Sequence, residues 1–407
     1  MTSYPKDKIN ILLLENINTE ALHIFKESGY TNITHLKSSL SEDELIKQIA
    51  DAHIIGIRSK TQLTKRILDS APRLLAIGCF CIGTNQVDIA DARRKGIVVF
   101  NAPYSNTRSV AELVIGAAIM LIRRIPEKNR LAHDGVWAKD ASNSHELRGK
   151  TLGIIGYGNI GSQVSVMAEA MGMKVIYFDT QKKLPLGNAH AAAGLADLLQ
   201  QSDIVSIHTP ANAATRNLIN AVALKECKGG AIFINYARGE VVDIEALKDA
   251  LTEGKLSGAA VDVYPEEPVK NSDPFITPLQ HIPNVLLTPH IAGSTEEAQA
   301  NIGTDVSTRL VQFIETGTTS GSHTVPELTL PVQEDTNRIL HIHRNVPGVL
   351  SEINAALSAS GINILAQYLK TNEDIGYVVL DIKREGSKDA ADLLRNVKET
   401  IKVRMLY

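Results

Sequence analysis

The sequence predicts an α/β protein of parallel, doubly wound sheets with a small ferredoxin-like unit at its end, and three observations carry that prediction. Apolar runs alternate with helix-period segments from the N-terminus onward, the mark of parallel strands joined by crossover helices. After one long apolar helix the alternation restarts and supplies six further strands between Gly149 and His290, enough for a complete second sheet. From Asn337 to Tyr407 the order is strand, helix, strand, strand, helix, strand, the split arrangement of a ferredoxin-like fold.

The first region places strands at Ile9 to Leu14, His53 to Ile57, Leu74 to Gly78 and Ile97 to Phe100. Amphipathic helices fall between them at Thr19 to Glu27 and Ser41 to Ile49, the latter opened by a capping box of Ser41 and Glu44. Ser109 to Arg124 reads as a helix that is apolar on most faces and stops before Pro126. The second region places strands near Leu152 to Ile155, Lys174 to Phe178, Ile204 to Ile207, Ala231 to Ile234, Ala259 to Val263 and Val285 to Leu287. Thr316 to Pro331, with its run of Gly, Thr and Ser and two prolines, reads as a linker. Strands and helices of the last unit fall at Arg338 to His343, Val349 to Ser358, Ile362 to Leu369, Tyr377 to Ile382, Ala390 to Glu399 and Lys402 to Leu406.

Composition removes several function classes. The 407 residues, 44% hydrophobic and 21% charged, suit two or three ordinary globular domains. A net charge of -3 and 4% aromatic residues leave neither a basic field nor a stacking surface, so no nucleic-acid partner is expected. The longest apolar stretch, Val110 to Ile122, contains Glu112 and falls short of the roughly 20 residues a bilayer needs. The start of the chain has no signal-peptide core, so the expectation is a cytoplasmic protein with no membrane partner. Cys79, Cys81 and Cys227 form neither a disulfide framework nor a zinc site and read as small core or loop residues; no metal is expected.

Gly156, Gly158 and Gly161 stand at the spacing of a dinucleotide-binding loop, with Asn159 and Ile160 between them, directly after an apolar strand and before a helical stretch. Gly156 permits the tight turn, Gly158 lets backbone N–H groups reach a pyrophosphate, and Gly161 lets the helix pack close to the strand. The helix N-terminus adds partial positive charge. The next strand ends in Asp179, an acid suited to the ribose hydroxyls and repulsive to a 2′-phosphate, so NAD is favoured over NADP. These features define a Rossmann cofactor domain.

Three polar clusters follow successive strands of that domain: Asn235 to Gly239, Asp262 to Pro268, and Thr288 to His290. The carboxyl ends of parallel strands open onto a ligand crevice, so a guanidinium, a carboxylate and an imidazole converge there. Arg238 suits a two-pronged grip on a substrate carboxylate. His290 suits proton exchange with a hydroxyl during hydride transfer, and an acid can fix its tautomer and favour the imidazolium. Spacing alone does not separate Glu266 from Glu267 in that role. Catalysis by Arg238 and His290 needs no metal.

At these motifs, and at Ile77 to Asp88, Phe100 to Leu113 and Leu287 to Gln299, the chain resembles the D-isomer-specific 2-hydroxyacid dehydrogenases, in the form that carries a C-terminal ACT domain. The resemblance selects Glu267, next to Pro268, as the acid and assigns Arg238 and His290 the roles above. It implies that His208, Thr209, Pro210, Ala237, Asp262 and Gly293 line the cofactor. It implies a Rossmann domain, residues 106–290, inserted into a flavodoxin-like substrate domain, residues 1–105 and 291–317, followed by a linker, residues 318–336, and an ACT domain, residues 337–407. Arg58, Ser59 and Lys60, with Ile82, Gly83 and Asn106, are implied to face substrate. The resemblance also implies D-3-phosphoglycerate as the substrate, its oxidation to 3-phosphohydroxypyruvate opening L-serine synthesis, and makes Arg58 and Lys60 the phosphate candidates, the alternative being two solvated loop cations. Lys60 stands where close relatives often carry Arg, which keeps the charge and loses the planar fork.

The ACT domain implies feedback by L-serine, held at a paired interface by His343, Asn345 and Asn363. Val346 stands where relatives can carry Arg. Trp137 reads as an anchor in a subunit contact or as a core residue, and the resemblance implies the former, with Lys139 reaching a neighbouring active site. Paired ACT edges and paired cofactor domains imply a homotetramer. The alternatives are a dehydrogenase or reductase for another 2-hydroxy or 2-oxo acid such as 2-oxoglutarate or glyoxylate, an NAD-sensing corepressor, and an amino-acid sensor with an inert enzyme portion.

Overall fold

A computed structural model of the chain describes residues 5–268, 272–332, 335–383 and 387–406. Two compact units emerge: residues 1–105 with 299–407, and residues 106–298.

In the first unit β1 (Ile11–Leu13), β2 (Ile33–His35), β3 (Ile54–Ile57), β4 (Ala76–Cys79) and β5 (Val98–Asn101) form a parallel sheet in the order β2-β1-β3-β4-β5. The central strands are buried on both faces, which is why they appear in the sequence as continuous Ile, Leu and Val runs. β2 was absent from the predicted strands, because a three-residue edge with one apolar side chain leaves no periodic signal. The helix Glu42–Ile49 does open on the Ser41–Glu44 capping box.

The second unit holds β6 (Thr151–Ile155), β7 (Lys174–Phe178), β8 (His190–Ala191), β9 (Ile204–Ile207), β10 (Ala231–Asn235), β11 (Leu256–Val261) and β12 (Val285–Leu287). Their order is β12-β11-β10-β9-β6-β7-β8, all parallel, so the direction of winding reverses between β6 and β9. That reversal is where open α/β sheets form their ligand crevice. The two-residue β8 is an added seventh strand at the edge. The helix Thr107–Ile122 packs eight buried residues, between Val110 and Ile122, into this sheet's core. Pro126, expected only to end it, sits instead in the first turn of a separate helix, Ile125–His133, where its missing N–H costs nothing.

β13 (Thr336–Arg344), β14 (Ile364–Thr371), β15 (Ile375–Lys383) and β16 (Thr400–Leu406) form an antiparallel sheet in the order β14-β15-β13-β16, the ferredoxin-like arrangement. One face carries the helices Val349–Ala359 and Ser387–Arg395 over Ile339, Val378 and Leu380. The other face joins the core of the first unit: Leu340, Ile342, Tyr377 and Leu406 share a cluster with Leu13, Phe100, Val306, Leu310 and Phe313. The last four lie on β5 or on the long helix Glu296–Thr316.

The segment read as a flexible linker is packed. Thr319, Thr324, Val325 and Leu330 are buried. Thr319 Oγ1 donates to the Pro326 carbonyl at 2.7 Å, and Thr324 Oγ1 to the Ile97 carbonyl at 2.7 Å. Its Thr hydroxyls satisfy backbone groups both within the stretch and at Ile97, just before β5, which composition alone does not distinguish from a solvated tether. Residues 333–334 of that stretch lie outside the described residues. No helix among the described residues is long and apolar enough to cross a membrane.

Candidate active site

The loop after β6 has the shape its glycines require. Gly156 has φ +93°, and a Cβ there would stand 2.7 Å from the His208 carbonyl oxygen. A Cβ on Gly161 would stand 2.3 Å from the Gly156 carbonyl, so the first turn of the helix Asn159–Ala170 sits directly on the loop. Gly158 faces open space, the side from which a pyrophosphate can approach the helix N-terminus. Asp179, just past β7, is fixed by N–H donors from Tyr157 at 2.9 Å and Gln181 at 2.8 Å, one to each carboxylate oxygen. Each oxygen retains acceptor capacity for a ribose hydroxyl.

His208 and Thr209 lie beside the same loop. His208 Nε2 pairs with Ser206 Oγ at 2.9 Å, while His208 Nδ1 and Thr209 Oγ1 are buried with no protein partner. Desolvation pulls the His208 pKa down to about 3, so its ring is neutral. An open glycine side, a fixed acceptor and two orphaned polar atoms around one loop fit a dinucleotide.

The three polar clusters lie at the carboxyl ends of β10, β11 and β12. The Asn235 side chain shapes the first, accepting from Ala237 N at 3.1 Å and donating to the Arg238 carbonyl at 3.0 Å. Gly239 joins the first cluster to the second: a Cβ there would stand 2.0 Å from the Tyr264 carbonyl carbon. In the second, Glu267 accepts from Tyr264 N at 3.0 Å and meets His290 Nδ1 at 2.8 Å through Oε2. The bonds to His290 and Tyr264 N fall on Glu267 and not on Glu266, so geometry separates two adjacent acids that spacing could not.

His290 itself has φ +54°, a conformation a histidine holds only under constraint. The constraint is Asp262, which is 1% exposed. Its carbonyl accepts from His290 N at 2.8 Å, and its carboxylate accepts from Thr288 Oγ1 at 2.5 Å, Ile291 N at 2.8 Å and Ala292 N at 2.8 Å. Asp262, expected to line the cofactor, also clamps the histidine loop. Gly293 follows, packed so that a Cβ would stand 2.0 Å from Asn106 Nδ2.

The hydrogen bond to Glu267 raises the His290 pKa above the ordinary histidine value; partial desolvation opposes it, and the Glu267 and Asp262 charges reinforce it. Burial pushes Glu267 upward, but the hydrogen bonds from His290 and Tyr264 N and the charges of His290 and Arg238 outweigh it, and its pKa is lowered. The pair favours carboxylate with imidazolium. No group of three or more His, Cys, Asp or Glu side chains among the described residues is placed to hold a metal ion.

In the other unit Arg58, Ser59 and Lys60 follow β3, and Ile82 and Gly83 follow β4, again at carboxyl ends of parallel strands. Asn101 Nδ2 donates to the Ile82 carbonyl at 2.5 Å, and His323 Nε2 pairs with Asn101 Oδ1 at 2.8 Å. Neither support was evident beforehand, since each bridges residues far apart in the chain. In the last sheet His343 is 2% exposed and faces Gly376, where a Cβ would stand 2.1 Å from Nε2; its Nδ1 has no partner. Asn345 Nδ2 donates to the Asn372 carbonyl at 2.7 Å, and Asn363 is exposed just before β14. Trp137 is 87% exposed and belongs to no core.

Comparison with known proteins agrees with this chemistry. Residues 115–292 match the NAD binding domain of the D-isomer specific 2-hydroxyacid dehydrogenases, and residues 339–404 match an AHAS small subunit-like ACT domain. The chain is 51% identical over 408 residues to the D-3-phosphoglycerate dehydrogenase of Haemophilus influenzae, covering 100% of this chain and 99% of that one. It is 50% identical over 407 residues to the enzyme of the same name from Escherichia coli K12, with the same coverage. The D-lactate dehydrogenase of Aquifex aeolicus, solved with NAD and lactic acid, superposes with a TM-score of 0.66 at 27% identity, covering 78% of this chain and 100% of that one. The chain belongs to the D-isomer specific 2-hydroxyacid dehydrogenases, NAD-dependent oxidoreductases, in a form that ends in an ACT domain.

Proposed function

We propose that the protein oxidises D-3-phosphoglycerate to 3-phosphohydroxypyruvate with NAD, with Arg238, Glu267 and His290 as its catalytic residues and L-serine as its effector. The observation that carries the reading is the His290–Glu267 hydrogen bond at 2.8 Å on a loop clamped by Asp262, in a chain half identical over its whole length to enzymes of that name. NAD, when bound, supplies the acceptor for the hydride leaving carbon 2. Arg238 holds the substrate carboxylate with its planar fork and polarises the neighbouring oxygen. His290 Nε2 takes the hydroxyl proton as the carbonyl forms, and Glu267 at Nδ1 stabilises the resulting imidazolium. Reduction runs the same transfer backwards, with the imidazolium as proton donor.

Gly156, Gly158, Asn159, Ile160 and Gly161 hold the pyrophosphate, and Asp179 the ribose. His208, Thr209, Pro210, Ala237, Asp262 and Gly293 line the rest of the cofactor. Arg58, Ser59 and Lys60 take the substrate phosphate, while Ile82, Gly83 and Asn106 approach its carboxylate end. His343, Asn345 and Asn363 bind L-serine, and the orphaned His343 Nδ1 supports that assignment. The exposed Trp137 supports a subunit contact, and with paired ACT edges the assembly is a homotetramer in the cytoplasm. NADH formation from D-3-phosphoglycerate, measured with and without millimolar L-serine, tests the whole reading. Equal turnover of D-lactate sinks the phosphate assignment, and full activity in serine sinks the effector.

Glu267→Gln carries a pH signature. Glu267 holds the His290 pKa up, so in the wild type the oxidation rate falls as pH drops through that raised value and the base becomes protonated. With a neutral partner the pKa falls. The acid limb of the oxidation profile, and the alkaline limb of the reduction profile, are both expected to move to lower pH. A profile that stays in place overturns the assignment of Glu267.

A further inference from the structure

We infer that Glu15 is the positioning residue of the phosphate-reading loop, holding Arg58 and Lys60 through their backbone without touching substrate; this rests on the reading that those two cations meet the phosphate. Glu15 lies two residues beyond β1 and is 8% exposed. A buried carboxylate ordinarily pairs with a cation. This one instead accepts three N–H groups of a single loop: Arg58 at 3.2 Å and Thr61 at 2.8 Å on Oε1, and Lys60 at 3.0 Å on Oε2. Glu15 and Asn16 have φ of +60° and +52°, and consecutive L residues hold that conformation only where their surroundings over-determine it. The surroundings are Glu15 N on the Ser38 carbonyl, Asn16 N on the Leu36 carbonyl, and the three bonds to the loop.

Two consequences follow from the geometry. Three N–H groups of the loop, those of Arg58, Lys60 and Thr61, are spent on Glu15, and Arg58 Nη1 also lies 3.5 Å from the Glu15 carbonyl oxygen, so an anion arriving at this loop is met chiefly by the Arg58 and Lys60 side chains. The direction in which those side chains leave the loop is set by where Glu15 holds their amides. Gln86, 3% exposed, completes the support: Nε2 donates to the Arg58 carbonyl at 2.8 Å and approaches Cys81 Sγ at 3.0 Å. The Cys81 thiol lies 3.3 Å from the Gly83 carbonyl, so the network ties the loop after β3 to the loop after β4.

Glu15→Gln in the full chain tests the assignment. Glutamine retains one acceptor oxygen and turns an amide N–H₂ toward a backbone donor, so at least one loop bond is lost. The KM for D-3-phosphoglycerate is expected to rise roughly tenfold, with kcat and the KM for NAD within about twofold. In the reverse direction, the KM for hydroxypyruvate, which lacks the phosphate, is expected to hold while that for 3-phosphohydroxypyruvate rises. Glu15→Gly, which accepts the positive φ but has no carboxylate, is expected to give the same selective loss and guards against a folding artefact. Arg58→Ala serves as the reference. If it leaves the KM for D-3-phosphoglycerate unchanged, the phosphate reading itself fails. If Arg58→Ala raises that KM and neither Glu15 variant does, or if the Glu15 variants weaken both substrates equally, the positioning role is overturned.

Discussion

Replacing His290 by Asn is expected to lower turnover of D-3-phosphoglycerate by roughly 10²–10⁴-fold while NADH binds within a few-fold of its normal affinity, because a positioned general base contributes about that much. Asn is the informative choice for a backbone reason. His290 has φ +54°, and Asn tolerates the left-handed region better than Ala or Gln, so the loop held by Asp262 keeps its course. The carboxamide can still meet a substrate hydroxyl but cannot carry its proton. Steady-state kinetics with a fluorescence titration of NADH separates the two effects. Retained turnover would remove the imidazole from the chemistry. A matching loss of NADH affinity would mean that the loop had moved.

What could be read beforehand divides along the distance over which a signal acts. The glycine loop and Asp179 were legible because their chemistry is local: Gly156 and Gly161 are each required by an atom within one turn or one neighbouring strand, Gly158 leaves the loop's open side clear, and the acid sits where a strand must end. That Arg238, an acid and His290 follow successive strands was legible because parallel topology brings successive strand ends to one edge, while Glu267 was separated from Glu266 only by the resemblance. The buried carboxylates that support the candidate site loops were not. Asp262 acts on residues 29 and 30 positions away, and Glu15 on residues 43 to 46 away, through backbone N–H groups that no side-chain pattern records. The stretch after Gly317 misled for the opposite reason. Its Thr and Ser residues resemble a solvated tether until Pro326, Leu328 and Ile97 supply the backbone partners that bury them.

That packed stretch leads to the largest expected effect on stability, at Arg338. On β13 it stands directly opposite Asp381 of β15, and the two side chains, 6% and 1% exposed, form a two-pronged ion pair at 2.7 and 2.9 Å. The third guanidinium nitrogen donates to the Thr316 carbonyl at 3.0 Å and the Pro331 carbonyl at 2.9 Å. Thr316 ends the long helix, where the dipole favours a cation, so one side chain ties the ACT sheet to the helix beneath it. Arg338→Ala leaves a buried carboxylate without its partner, and a cost of about 3–5 kcal/mol is expected. Arg338→Met with Asp381→Leu removes both charges and keeps apolar volume, so it is expected to recover most of that loss. Hydrogen exchange of the β13 and β15 amides, beside urea unfolding, reads the effect where it arises. An Arg338→Ala protein within about 1 kcal/mol of the wild type would mean that the pair is solvated and that the ACT sheet is held to the first unit by its apolar face alone, through Leu340, Ile342 and Tyr377.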